Sequence, residues 1–231
     1  MITHGDRVLV GVSGGADSLT LLSLMAERQR HVPPPFVLVA AHIDGGFPGS
    51  DPQNLVRLES HFQSLDVPYR IIKAPIAQKA LDPQATKNPC FICAHERRRA
   101  IYHLAHELGC NKIAYAHHKD DIIETLLLNI LYGRRVEAMH PVQEVFGGSM
   151  HIIRPLALTD EWQVKAYARE QALPTWPKVC PIDGNSRRQK IKELIRTLQA
   201  GEKNANIREN IFKAMHHVNL DMNRPGGSTR R

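Results

Sequence analysis

Two rhythms of hydrophobic and polar positions alternate along this chain. Short apolar runs cover Arg7 to Val12, Phe36 to Ile43, Tyr69 to Lys73, Lys112 to Ala116 and Met150 to Ile153, and their length and continuity predict buried strands. Between them the spacing becomes helical. One helix opens over Leu19 to Met25 and continues through Glu27 and Arg28; others cover Asp51 to Leu65 and Lys119 to Tyr132, the latter stopped by Gly133. Ala94, Arg97, Arg98, Ile101, Leu104, Ala105 and Leu108 recur on one further helix closed by Gly109, and Thr159 caps a helix over Asp160 to Gln171. Ala74 to Pro89 has no period and is broken by Pro75, Pro83 and Pro89, which predicts a surface loop. Strands alternating with helices imply an α/β fold with a doubly wound, mostly parallel sheet. The pattern changes at Pro174: an irregular Trp176 to Pro181 leads into two helices, Arg187 to Leu198 and Ile207 to Val218. The expected division is an α/β domain over 1–175, a short helical extension over 176–222 and a disordered basic tail over 223–231.

A length of 231 residues suits one large α/β domain with an appendage. Charge sharpens the picture a little: 30 Lys and Arg against 23 Asp and Glu give +7, which suits a polyanionic partner such as RNA without identifying one. The start, Met1 to Asp6, lacks the basic-then-apolar build of a signal peptide, and no apolar run reaches membrane-spanning length. The expectation is a cytoplasmic protein with no membrane contact. In that reducing compartment, four cysteines serve more readily as ligands, catalysts or core residues than as disulfides.

Three clusters carry chemistry. The first is Ser13-Gly14-Gly15-Ala16-Asp17-Ser18, a glycine turn between a strand and a helix. Its first helical amides lack intrahelical partners and sit at the positive end of the helix dipole, so the turn favours phosphate. No Gly-Lys-Ser/Thr closes it, so it is not a Walker A loop. The second cluster is Cys90-Phe91-Ile92-Cys93 followed by Arg97-Arg98-Arg99, with Cys180 in the irregular segment; three thiols suit a zinc ion or a 4Fe-4S cluster with one open position. Cys110, between a helix end and a strand, is filler. The third is His117-His118-Lys119-Asp120-Asp121-Ile122-Ile123-Glu124-Thr125 at the carboxyl end of a strand, where Asp44 and Asp17 also arrive. Carboxylates gathered there suit Mg²⁺ bound to a nucleotide.

These residues resemble a known family. Ser-Gly-Gly-x-Asp-Ser is similar to the signature of the PP-loop ATP pyrophosphatases. The wider pattern, from about Arg7 to Leu198, resembles the tRNA 2-thiocytidine synthetases within that group; it includes Cys90-x-x-Cys93, His-His-x-Asp-Asp-x-x-Glu-Thr, Ile153-Arg154-Pro155-Leu156 and Cys180 to Ile191 with Asn185 and Arg188. Ala16 departs from the lysine common in that loop. The resemblance implies that Ser13, Gly14, Gly15, Asp17 and Ser18, with His117, hold ATP. It also implies that Asp44, Asp120 and Asp121 manage Mg²⁺ and the activated base, that Arg97 or Arg98 stabilises developing negative charge, and that Cys90, Cys93 and Cys180 hold a 4Fe-4S cluster. It further implies tRNA as partner, a persulfide carrier or free sulfide as sulfur donor, and is compatible with a homodimer. The rival reading is a lysidine synthetase-like ligase that adds an amine and keeps a structural zinc; a third is a non-enzymatic module that binds nucleotide and RNA.

Overall fold

The computed structural model describes residues 1–177, 180 and 186–218. Strands β1 (Arg7–Gly11), β2 (Val37–Asp44), β3 (Tyr69–Lys73), β4 (Lys112–Ala114), β5 (Val142–Val145) and β6 (Met150–Ile153) form one sheet in the order β3-β2-β1-β4-β6-β5. All neighbours pair in parallel except β5, which lies antiparallel on β6 at the edge. The chain builds outward from β1 through β2 to β3, then returns to place β4 on the other side of β1. That reversal opens a crevice beyond the carboxyl ends of β1 and β4.

Alternation along the strands sorts side chains between two layers. Val8, Val10, Leu38 and Ala40 face one way, beneath helices α1 (Ala16–His31) and α2 (Gln53–Ser64), joined there by Leu58 and Phe62. Leu9, Val39, Ala41 and Ile43 face the other way, beneath α3 (Ile76–Ala80) and α4 (Pro89–Glu107), joined by Ile76, Ile101 and Leu104. These side chains are nearly all fully buried, the Val, Leu, Ile and Phe among them at about 1.5–3 kcal/mol each. Cys110 is buried in the second layer as the expected filler. Helix α5 (Lys119–Gly133) follows β4, and α6 (Glu161–Glu170) packs Val164 into the first layer. A smaller cluster of Ile123 with Ile191 and Ile195 docks α7 (Arg187–Gly201) on α5, and α8 (Ile207–Ala214) adds Ile211 and Phe212 to it. At the opposite end of the sheet, buried Asp6 accepts from the Thr3 amide (2.6 Å), the Asn111 side chain (2.9 Å) and Lys112. Burial alone would raise its pKa, but those donors and the Lys112 charge hold it at about 2.

Several expectations are corrected. The stretch from Ala74 to Pro89 is not all loop: it holds α3, and Pro89 starts α4 rather than breaking the chain. Asn88 caps that helix, accepting from the Cys90 amide at 2.9 Å, and proline in the first turn loses no hydrogen bond. The edge strand β5 escapes sequence reading because Val142, Gln143 and Glu144 are exposed, so it has no apolar run. Asp160, not Thr159, caps α6, its amide donating to Gln163 Oε1 at 3.1 Å. The Pro181 to Asn185 segment and the Asn223 to Arg231 tail lie outside the described residues.

Candidate active site

The turn after β1 is locked from within. The Ser13 amide donates to Ser18 Oγ (3.0 Å), Ser18 Oγ donates to the Gly15 carbonyl (3.0 Å), and the two serine hydroxyls are 3.1 Å apart. Gly14 has φ +88°, a left-handed conformation, and a Cβ there would fall inside the Trp176 indole. The Trp176 amide also approaches the Gly14 carbonyl at 3.4 Å. The segment after α6 is therefore pressed onto the back of the turn, and α1 begins directly beyond it with Asp17 in its first turn.

A cavity of about 310 Å³ opens in front of this turn. Ser13, Asp17 and Ser18 line one wall, Ala41 and Ile43 of β2 the floor, Arg97 and Ile101 of α4 a second wall, and Tyr115, His117 and Asp121 the third. Arg97 is aimed here because its Nη1 donates to the Ile43 carbonyl at 3.2 Å. Between the walls sits His118, buried, with Nε2 3.4 Å from Asp121 Oδ2 and 4.0 Å from Asp17 Oδ2. Its amide donates to Asp121 Oδ2 at 3.2 Å and so starts α5. Burial pushes the Asp17 carboxyl up, the His118 charge draws it down and Asp121 pushes it up again. Asp17 Oδ1 and His118 Nδ1 are buried without a hydrogen-bond partner among the described residues. A carboxylate with one unpartnered oxygen, Asp17 Oδ1, and a second, Asp121, whose oxygens are already met by the His118 amide and Arg188, stand beside a helix N-terminus; oxygen donors of this kind suit a magnesium–nucleotide pair, so Asp17 fits that group directly and Asp121 fits it through its remaining lone pairs. His117 Nδ1 accepts from Arg154 Nε at 3.2 Å; burial holds its pKa well below the usual value, against the pull of Asp121, so it is neutral at pH 7.

The neighbouring acids have other partners. Asp120 lies outside the cavity: Oδ2 accepts from the Glu161 amide (2.8 Å), covering the N-terminus of α6, and Oδ1 pairs with Arg208 Nε of α8 (2.9 Å). Consecutive helix residues project about 100° apart, which is why Asp121 reaches the cavity and Asp120 does not. Arg188 Nη1 reaches both Asp121 Oδ1 and Glu124 Oε2 at 3.0 Å, and Lys192 Nζ reaches Glu124 Oε1 at 3.5 Å. Burial pushes the Glu124 carboxyl up and these two cations draw it back. Asp44 stands at the end of β2, where its Oδ1 accepts from the Gly46 amide at 3.0 Å, outside the cavity lining.

Cys90 is exposed and Cys93 half-buried, one turn apart at the start of α4; Cys180 is half-buried, and all are free thiols. Among the described residues no three His, Cys, Asp or Glu side chains gather as a metal site, so the three thiols are not assembled here. Their chemistry, soft sulfur on three residues, does suit zinc or a 4Fe-4S cluster. The sequence reading of the site left out His118 as the hinge of the carboxylate pair, Arg154 behind His117, and Trp176 behind Gly14. A tryptophan in an otherwise irregular stretch was the available signal for the last.

Residues 3–196 match the family model of a PP-loop domain. Over 221 residues the chain is 38% identical to the tRNA-cytidine(32) 2-sulfurtransferase of Anaeromyxobacter dehalogenans, covering 94% of this chain and 74% of that one. This chain belongs to the PP-loop tRNA-cytidine 2-sulfurtransferase family. The protein of the same name from Methylobacillus flagellatus is 40% identical over 222 residues, covering 94% of this chain and 71% of that protein. Among solved structures, the U34-tRNA thiolase NcsA from Methanococcus maripaludis, with its 4Fe-4S cluster, superposes with a TM-score of 0.76 at 22% identity. The match covers 93% of this chain and 72% of that one, and at that identity it speaks to the fold. The PP-loop family resemblance and the doubly wound, mostly parallel sheet expected from sequence are both borne out.

Proposed function

We propose that this protein is an ATP-dependent tRNA 2-sulfurtransferase that activates the 2-oxygen of an anticodon-loop cytidine and replaces it with sulfur. The observation that carries the reading is the single cavity in which a helix N-terminus, Asp17, Asp121 and Arg97 converge at the carboxyl ends of β1, β2 and β4. A pyrimidine 2-oxygen is a poor leaving group. Its attack on the α-phosphate of ATP forms an oxygen–phosphorus bond and expels pyrophosphate, for which the amides of the first turn of α1 and the Ser13 hydroxyl are the donors, while Ser18 braces the turn through the Gly15 carbonyl. Asp17 and Asp121 would hold Mg²⁺, which would offset phosphate charge, and Arg97 meets the charge that develops on the transferring phosphoryl group. A sulfide then forms the carbon–sulfur bond as the carbon–oxygen bond breaks, and AMP leaves with the oxygen. Cys90, Cys93 and Cys180 would hold a 4Fe-4S cluster, which supplies one iron free of protein ligands at which sulfide can be delivered. Free sulfide supplies that sulfur directly; a persulfide carrier supplies it only together with a thiol reductant, whose two electrons release the carrier's outer sulfur as sulfide. Among the described residues no helix is long and apolar enough to cross a membrane, and four free thiols suit a reducing compartment, which supports a cytoplasmic setting.

Anaerobically purified protein, incubated with ATP, sulfide and a tRNA transcript, is expected to release AMP and yield 2-thiocytidine by nucleoside mass spectrometry. A tRNA whose position 32 is uridine tests whether this chain shares the position named for its relatives. Absence of AMP with every tRNA offered would overturn the reading.

A further inference from the structure

Arg97 and Arg98 are adjacent in sequence but serve different faces of α4. Arg97 turns into the cavity, while Arg98 and Arg99 turn outward into a second groove of about 560 Å³, between α4 and the β5–β6 hairpin. This groove has two walls of different character. Along the helix wall, His95, Arg98, Arg99, Tyr102, His103 and His106 line about 16 Å of α4 at 1.5 Å per residue, and Phe91 extends the row one turn beyond the groove. Phe91 is 56% exposed, stacks on His95 (centroids 6.1 Å apart, planes at 20°) and carries Lys87 over its outer face at 5.5 Å. The hairpin wall carries Ser149, Met150 and one ring, Phe146, which is 61% exposed at a left-handed φ of 52° and meets Tyr102 edge-on with centroids 5.1 Å apart. The hairpin turn accounts for the backbone and Tyr102 for one edge of the ring, which leaves the rest of the Phe146 face open to the groove. No carboxylate lines the groove; Glu96 beside it is engaged by Lys79 and His95, and Glu144 stands near His151 on the hairpin.

We infer that this groove binds the single-stranded nucleotides of the tRNA loop that flank the reacting base. The inference rests on the function proposed above, and it names where that substrate docks. Aromatic faces alternating with cations suit splayed bases joined by phosphates: the rings stack, the guanidiniums and ammonium pair with phosphate. A protein partner would bring acids and bases in pairs, whereas the cations here face no acid across the groove, which suits phosphates. The groove shares α4 with the cavity, Arg97 leaving the middle of the helix on one side and Arg98 and Arg99 on the other, so a strand laid along the groove can pass its next base toward the cavity.

The test measures affinity of the full-length protein for a fluorescent tRNA transcript and for a single-stranded loop oligonucleotide. Phe146→Ala is expected to weaken both by roughly 5- to 100-fold, the range for one lost base stack. Phe146→Trp is expected to restore them. Arg99→Ala is expected to flatten the salt dependence by roughly 0.7 in the log–log slope, as for one phosphate contact on a single strand. ATP affinity and thermal midpoint should be unchanged in all three, since neither side chain touches the cavity or the core. A tRNA affinity and salt slope indifferent to these changes would overturn the groove alone and leave the enzyme reading standing. Equal competition by blunt duplex RNA would overturn its single-strand character, and failure of the unmodified protein to bind any tRNA would overturn both readings.

Discussion

Replacing Gly14 by alanine tests the physical core of the nucleotide site. The substitution carries two separable costs. Holding an L-residue at φ +88° costs about 1–2 kcal/mol, and forcing a methyl into the Trp176 indole adds about 1–3 kcal/mol of overpacking. The total is about 2–5 kcal/mol, a large share of the ordinary stability of a domain. Only the second part depends on Trp176. In a cycle of parent, Gly14→Ala, Trp176→Ala and the double variant, followed by urea unfolding, the double variant should be less destabilised than the sum of the singles by about 1–3 kcal/mol. Nucleotide binding, read as the shift of thermal midpoint on adding ATP and Mg²⁺, should fall in Gly14→Ala, because the turn moves away from its serine lock, and recover in part in the double variant. Additivity within about 0.5 kcal/mol would show that the indole does not rest on the turn and would refute the reasoning.

Asp17→Ala should leave the fold intact and abolish AMP release from ATP, checked by circular dichroism and a pyrophosphate assay; the half-exposed carboxylate packs against nothing that the core needs. Cys180→Ser should halt sulfur transfer while tRNA-dependent AMP formation continues, measured in parallel on anaerobic protein, since the nucleotide is held by other elements. The paired Asp6 carboxyl has a pKa lowered from 3.8 to about 2, so it contributes about 2 kcal/mol of stability that is fully present above pH 4 and lost as pH falls toward 2. Asp6→Asn should therefore be less stable than the parent at pH 7, with the gap closing between pH 4 and pH 2 in chemical unfolding.

Legibility from sequence followed the physics of each element. The strands β1, β2, β4 and β6 and the doubly wound fold could be read because buried strands are continuous apolar runs, half-buried β3 because Ile71 and Ile72 keep a short apolar centre, and the glycine turn because phosphate chemistry demands that composition. Exposed β5 carries no such mark, and α3 is too short to show a period. Within the site, residue type was legible and direction was not. Asp120 and Asp121 are equivalent as letters, but a rotation of one residue commits the first to the α6 terminus and Arg208 while the second faces the nucleotide turn. Arg97, Arg98 and Arg99 divide between two cavities for the same reason. Arg188 shows the complementary limit: its partners lie more than sixty positions away on α5, and no local pattern announces a contact of that range.

The two anchors on either side of Cys180 set a concentration. Trp176 is fastened behind Gly14, and Arg188 is fastened to Asp121 and Glu124. A chain extends at most about 3.5 Å per residue, so the Cα of Cys180 stays within about 14 Å of that of Trp176, whatever path it takes. A thiol on so short a leash samples a volume in which its effective concentration is in the millimolar range, far above that of any cysteine supplied from solution. In the proposed three-thiol site, recruitment of the third sulfur to Cys90 and Cys93 would be an intramolecular event, its probability set by an indole and a guanidinium outside the thiol set. Loosening either anchor dilutes the thiol without altering it.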